Sequence, residues 1–280
     1  MRLLLLFLVM WIPFTTSFPL DSLRGIGKRV YPCLHRVIVK SRAYKVDDSH
    51  NHVHALDVAR LANKIIPLKD TITPRIHEKV MVCALLHDTI DHKYLVTDQA
   101  REREQRDLSR FLRETLEYSS RESQQLQTIM SDMSYSKTVV EGQFILPQSI
   151  QEADPHTREI YHLVRQADLL SSYDVERMLQ YKYHRLFTEE EHPSMENRMK
   201  RVYEDTVQTF TNRIQPLLSI PGLFPSPAAQ QTAETLYRDC VIKMSLLERD
   251  WVNLYSPRQF QLYRVLPFPR EKNISRRRIL

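Results

Sequence analysis

PRIHEKVMVCALLHD, residues 74–88, is the stretch on which the fold turns. Pro74 stands where a helix tolerates proline, in the first turn, and the run from Val80 to Leu86 is apolar nearly all round. A helix with no polar face has to be buried on every side. Yet this one ends in His87-Asp88, two ionisable residues directly after the apolar run.

The flanking sequence supplies helices for it to pack against. From Asp48 onward, Val53, Leu56, Val58, Leu61 and Ala62 recur at three- and four-residue steps, with Asp47, Asp48 or Ser49 available as a cap. Residues 98–131 are charged and helical in style, striped by Leu108, Phe111, Leu112, Leu116, Leu126 and Ile129. Met133 to Gly142 reads as a loop, Asp154 to Ser172 as a strong helix, and helical patterning continues from Asp174 to Ile214. Four prolines (Pro216, Pro221, Pro225, Pro227) then break the chain before a helix carrying Ala233, Leu236, Tyr237, Cys240, Val241, Met244 and Leu247. Residues 21–45 are basic and show no clear period, so they read as a lead-in. With no run of alternating strands, the expected class is all-α. The expected organisation is a leader over 1–20, one helical domain over 21–215, and a Pro-rich linker, helical extension and basic tail over 216–280.

Composition agrees. Of 280 residues 42% are hydrophobic and 26% charged, enough for a core and a solvated surface. Four glycines and the absence of GxGxxG or GxxxxGK[ST] exclude a dinucleotide fold and a P-loop. Three cysteines (Cys33, Cys83, Cys240) are too few and too scattered for a disulfide framework or a zinc knuckle, and Cys83 reads as a small buried residue. The net charge of +6 is partly a tail effect (Arg270, Lys272, Arg276, Arg277, Arg278). No basic patch interleaved with aromatics accompanies it, so nucleic acid is not the expected partner.

The first twenty residues differ in kind. Arg2, the apolar run Leu3 to Ile12, Pro13-Phe14 and then Thr15-Thr16-Ser17 describe a secretory signal cleaved near Ser17. The run is too short for a comfortable membrane span. An uncleaved anchor and an organelle leader are the other readings. The expected location is therefore the secretory pathway or an organelle if the leader functions, and the cytoplasm if it does not.

The chemistry concentrates where polar residues contradict the apolar helices. Six of the eleven histidines fall between His50 and His92. His50 and His54 share a helix face, His87-Asp88 end the apolar helix, and Asp168 sits among Leu163, Val164, Leu169 and Leu170. Burying such groups unpaired costs several kcal/mol, roughly. One divalent cation held by His54, His87, Asp88 and Asp168 removes that cost. Two imidazoles and two carboxylates leave coordination positions open on an octahedral ion, and Mn, Mg, Fe, Co, Ni and Zn all suit such a donor set. A water polarised by such an ion falls to a pKa of about 7 and becomes a nucleophile at neutral pH.

These residues resemble a known family. His50-Asn51-His52-Val53-His54-Ala55-Leu56-Asp57-Val58 resembles the H-N-x-x-H-A-x-D-V signature of cyclic-nucleotide phosphodiesterases, members of the HD superfamily whose broad pattern is H…HD…D. Leu85-Leu86-His87-Asp88 with Asp91 and Lys93 is similar to the LLHD-x-x-D-x-K segment of small HD phosphohydrolases acting on nucleotides. Ser134-Tyr135-Ser136-Lys137 is similar to a V-S-[FY]-S-like turn in the same enzymes. The resemblance spans about residues 45–190 and departs in two places. Gln166-Ala167-Asp168-Leu169-Leu170-Ser171 stands where D-A-D-R-L-D is usual, and Thr89-Ile90-Asp91-His92-Lys93 where the phosphodiesterases continue V-D-H-P-G. The phosphodiesterase match thus ends at its first motif.

The resemblance implies an HD-domain bundle that hydrolyses a phosphate ester or anhydride of a nucleotide or related small molecule. His50, one turn before His54, reads as the general acid or as a helix-start histidine facing solvent. Asp91 and His92 read as orienting the water, as holding a second metal, or as a surface loop. Lys93 and Lys137 read as phosphate contacts or as ordinary exposed lysines. Asp57 supports a ligand histidine or faces water. The altered flank of Asp168 leaves open a non-catalytic HD module that binds a nucleotide or a protein partner.

Overall fold

The all-helical expectation holds. The computed structural model describes residues 29–44, 46, 50–67, 72–90, 95, 97–188 and 195–255. Along them run α1 (Val30–Ala43), α2 (His52–Ile65), α3 (Pro74–Leu86), α4 (Asp98–Arg110), α5 (Ser120–Asp132), α6 (Tyr135–Thr138), α7 (Gln148–Gln151), α8 (Pro155–Ser171), α9 (Val175–Thr188), α10 (Met195–Thr209) and α11 (Pro227–Tyr255). The one sheet among the described residues is an antiparallel pair, β1 (Val139–Val140) and β2 (Gln143–Phe144), with Val139 opposite Phe144. The chain divides at residue 240: 1–240 form one unit, and in 241–280 the described part is the later course of α11. No helix among the described residues is long and apolar enough to cross a membrane. The leader over 1–20 and the basic tail lie outside the described residues.

The apolar stretch is the hub. Thr73 caps α3 by accepting from the Ile76 amide, Pro74 follows, and Val80 through Leu86 are all buried. Around α3 pack α1, α2 and α8, and α2 in turn lies along α8. The contact face of α2 carries Ala55, Ala59 and Ala62, whose small side chains admit a close neighbour. Its cap is Asn51, which accepts from the Val53 amide at 2.7 Å. Asp47, Asp48 and Ser49, the expected caps, lie outside the described residues. Asp154 opens α8 by accepting from the amides of His156 and Thr157, while Gln125 of α5 donates to its other oxygen at 2.8 Å. A cap of this kind is worth about 1 kcal/mol. All three cysteines are buried, and burial pushes the Cys83 thiol far above its usual range.

Three expectations need correction. Residues 30–43 are not a lead-in but α1, which buries Val30, Cys33, Val37 and Ser41 at steps of three and four. Its cations have an internal partner: Arg36, Lys40 and Tyr44 converge on the carboxylate of Glu104 in α4. Residues 98–131, expected to be helical in style throughout, form two helices with a break between them. After α4 and a π-helical turn over Phe111–Thr115, Glu117 takes a left-handed φ of 56° and the chain reverses. Ser119 then starts α5 in a reciprocal box: its hydroxyl accepts from the Glu122 amide, and the Glu122 carboxylate accepts from the Ser119 amide. Finally, Met133 to Gly142 is not all loop. It contains α6 and β1, and Glu141 and Gly142 both take positive φ at the hairpin turn (50° and 74°).

Glu122 also receives Lys79 at 2.9 Å and Arg75 at 3.0 Å, joining α5 to α3. Burial would raise its carboxyl, but Lys79, the Ser119 amide and Arg75 outweigh that and bring it from 4.5 to about 2. A carboxyl depressed in the folded state contributes stability above its unfolded value and loses it as pH falls through the folded one. Between pH 4.5 and about 2, chemical denaturation should therefore show the wild type losing more stability than Glu122→Gln. Parallel acid profiles for the two chains would contradict this.

Candidate metal centre

Three helices that pack on one another each deliver polar groups to a single point. His54 lies one turn into α2 on the buried face, beside Ala55 and Val58, and is 3% exposed. His87 and Asp88 open the 3-10 turn His87–Ile90 in which α3 ends. Asp168 projects from α8 between buried Ala167 and Leu169. At His87 the ring is oriented by its own helix, because Nδ1–H donates to the Ala84 carbonyl at 2.9 Å. A carbonyl can only accept, so the hydrogen is on Nδ1 and the Nε2 edge is the one turned to the cluster.

The donor atoms close into a tight group. His54 Nε2 and His87 Nε2 are 3.2 Å apart. Asp88 Oδ2 lies 3.3 Å from the first and 3.4 Å from the second. Asp168 Oδ1 lies 3.5 and 3.6 Å from the same two nitrogens. Ligands at roughly 2.0–2.2 Å from one ion stand about 3.0–3.5 Å from their neighbours, for octahedral and tetrahedral geometry respectively. The spacings among His54, His87 and Asp88, whose donor atoms all lie within 4.8 Å of one another, are of that size, whereas Asp168 faces the two imidazoles but falls outside that group. Asp88 Oδ2 is moreover buried without a hydrogen bond, and a buried carboxylate oxygen is expensive to leave so.

The electrostatics point the same way. Burial pulls the His87 imidazolium down, but Asp88 and Asp168 outweigh it and hold the ring protonated well above the usual imidazole range. Burial likewise opposes ionisation of Asp88 and Asp168, and the imidazoles overcome it, holding both carboxyls well below theirs. Two half-buried carboxylates face the imidazoles here, and a divalent cation would balance their charge. The donor set therefore fits a metal.

Of the other expected residues, His50 stands beside this group. Its ring lies 5.9 Å from that of His54 and 5.5 Å from that of Tyr181 on α9, edge to face in both cases. Lys137 is exposed on α6, donating to the Ser131 carbonyl near the end of α5 at 2.8 Å and standing 3.8 Å from Asp132. Asp91, His92 and Lys93 lie outside the described residues. Asp57 is solvent-facing and 3.6 Å from Arg60, so it does not support a ligand histidine. A cavity of about 20 Å³, bounded by His50, Asp88, Tyr44 and apolar Val37, Leu85 and Leu95, adjoins the cluster. That is room for about one water.

Arg177 is the residue that sequence reading missed. It sits in the first turn of α9, where its amide donates to Asp174 Oδ1 at 3.2 Å. Its guanidinium Nη1 meets His54 Nδ1, with Nε2 of the same ring at 3.4 Å. Nothing local marks an arginine on an amphipathic helix for such a role. Comparison with protein-family models, curated proteins and solved structures finds no match for this chain.

Proposed function

We propose that the chain is a metal-dependent phosphohydrolase of the HD superfamily, acting on a nucleotide or related small phosphorylated molecule. His54, His87, Asp88 and Asp168 would hold one divalent cation. The observation that carries the reading is the grouping of His54, His87 and Asp88, whose donor atoms all lie within 4.8 Å of one another, with Asp168 Oδ1 facing both imidazoles at 3.5 and 3.6 Å and Asp88 Oδ2 buried and otherwise unsatisfied.

When bound, such an ion supplies a polarised water and neutralises charge at the phosphorus. The rest belongs to the chain. The Ala84 carbonyl fixes the ring of His87, and the Asn51 cap fixes the start of the helix that carries His54. The apolar surroundings of α2, α3 and α8 bury His54 and leave the two carboxylates half-buried, which strengthens their field relative to open water. His50, one turn ahead of His54 and with its ring 5.9 Å from that of His54, would give a proton to the leaving oxygen.

The test is elemental analysis of the purified full chain together with phosphate release from a nucleotide panel under added Mn²⁺ or Mg²⁺. About one bound metal per chain and metal-dependent turnover support the proposal. Turnover that survives complete chelation contradicts it. Bound metal with no turnover across the panel would favour the non-catalytic binding module.

A further inference from the structure

Resting on the metal reading above, the geometry points to a role for Arg177: we propose that its guanidinium binds an anionic oxygen of the substrate, a non-bridging phosphoryl oxygen, and turns to it from His54 when the cation is held. The argument starts from what an imidazole can do. Arg177 only donates, so His54 Nδ1 accepts from it, and a neutral ring then carries its hydrogen on Nε2. That places an N–H towards Asp88 Oδ2 and Asp168 Oδ1, at 3.3 and 3.5 Å. A ring that ligates a cation through Nε2 must instead carry the hydrogen on Nδ1. Two N–H groups would then face each other across the Arg177–His54 contact, with a divalent cation on the far side of one small ring. The guanidinium in its present position and a cation at His54 Nε2 therefore disfavour each other.

What Arg177 can turn to is limited. Its backbone is pinned at the start of α9, where Asp174 accepts from the amides of Arg177 and Met178, so adjustment falls to the side chain. Among the described residues no carboxylate lies within ion-pair distance of its guanidinium, and its only side-chain hydrogen-bond partner is His54. A half-buried guanidinium that feels Asp174 only at a distance, with no described carboxylate within ion-pair range, and that stands beside a candidate cation centre suits an anion. Its planar fork suits a tetrahedral oxyanion with several equivalent oxygens, which names the phosphoryl group rather than a neutral ligand.

The test uses the full-length chain loaded with Mn²⁺, with inorganic phosphate as the probe, in wild type, Arg177→Met and Arg177→Lys. Mn²⁺ affinity is read by electron paramagnetic resonance and phosphate affinity by calorimetry. Arg177→Met should bind Mn²⁺ at least as tightly as wild type, while its phosphate affinity falls about ten- to a hundredfold, the usual weight of a charged hydrogen bond. Arg177→Lys should recover part of that loss. Equal phosphate affinity in all three chains, with Mn²⁺ bound by each, overturns the role of Arg177 and leaves the metal reading standing. Weakened Mn²⁺ binding in Arg177→Met makes the residue a support of His54 and also overturns the proposal. Absence of Mn²⁺ binding in wild type and both variants overturns the metal reading itself.

Discussion

His87→Ala should yield a folded chain that no longer retains metal and whose turnover falls by about a thousandfold or more. The magnitude follows from the several kcal/mol of charge stabilisation that a cation contributes at a transferring phosphoryl group, each 1.4 kcal/mol being about a factor of ten. The loss is more than one ligand in four. Asp88 Oδ2 and Asp168 Oδ1 both face His87 Nε2, at 3.4 and 3.6 Å, so its removal leaves two half-buried carboxylates with less positive charge between them. At least one will tend to take up a proton, which removes a second ligand charge. Alanine also opens a small cavity, and Asp168→Asn controls for it by removing one charge at nearly constant volume. Both variants should lose metal by elemental analysis, while Asp168→Asn keeps a melting profile close to wild type. Retained metal and turnover in Asp168→Asn would exclude the carboxylate from the site.

The proposed ligands were legible because they contradict their surroundings. His87-Asp88 follow seven apolar residues, and Asp168 interrupts a run that is otherwise core, so each announces a burial cost needing an explanation. Arg177 carries no such mark. An arginine between Val175 and Met178 is what any amphipathic helix shows, and its meaning arises only because α9 meets α2. The missed elements had physical causes as well. In α1 the buried stripe was masked by Arg36 and Lys40, whose partner lies 68 and 64 residues away. The start of α5 was in plain sight as Ser119-Ser120-Arg121-Glu122, a capping-box spacing inside what passed for one long stripe. The hairpin turn is Glu141-Gly142, where the usual signal is Asn-Gly or Asp-Gly, and strands of two residues have no period to read.

That hidden partner sets the second large effect, which falls on stability. Glu104 is 1% exposed, and Arg36, Lys40 and Tyr44, all from α1 and the residue after it, bring their polar ends to its carboxylate. Arg36 is held further by the Phe111 ring, 5.1 Å from its guanidinium carbon. Glu104→Ala strands these cations against an apolar wall, and breaking a buried ion pair from one side costs about 3–5 kcal/mol. Arg36 and Lys40 keep side-chain exposures of 12% and 21%, so part of their charge can reach water and the low end of the range applies. The measured quantity is the urea midpoint, which should fall sharply with its slope unchanged. Strong burial of like-shaped apolar groups is the stricter check. If the carboxylate is there to neutralise α1, then Glu104→Leu with Arg36→Met and Lys40→Met should recover most of the stability that Glu104→Ala loses, since a well-packed apolar set replaces a buried ionic one at little net cost. If the triple variant is instead weaker than Glu104→Ala, α1 is held by the charges themselves, and the ionic cluster is an attachment that its buried stripe alone cannot replace.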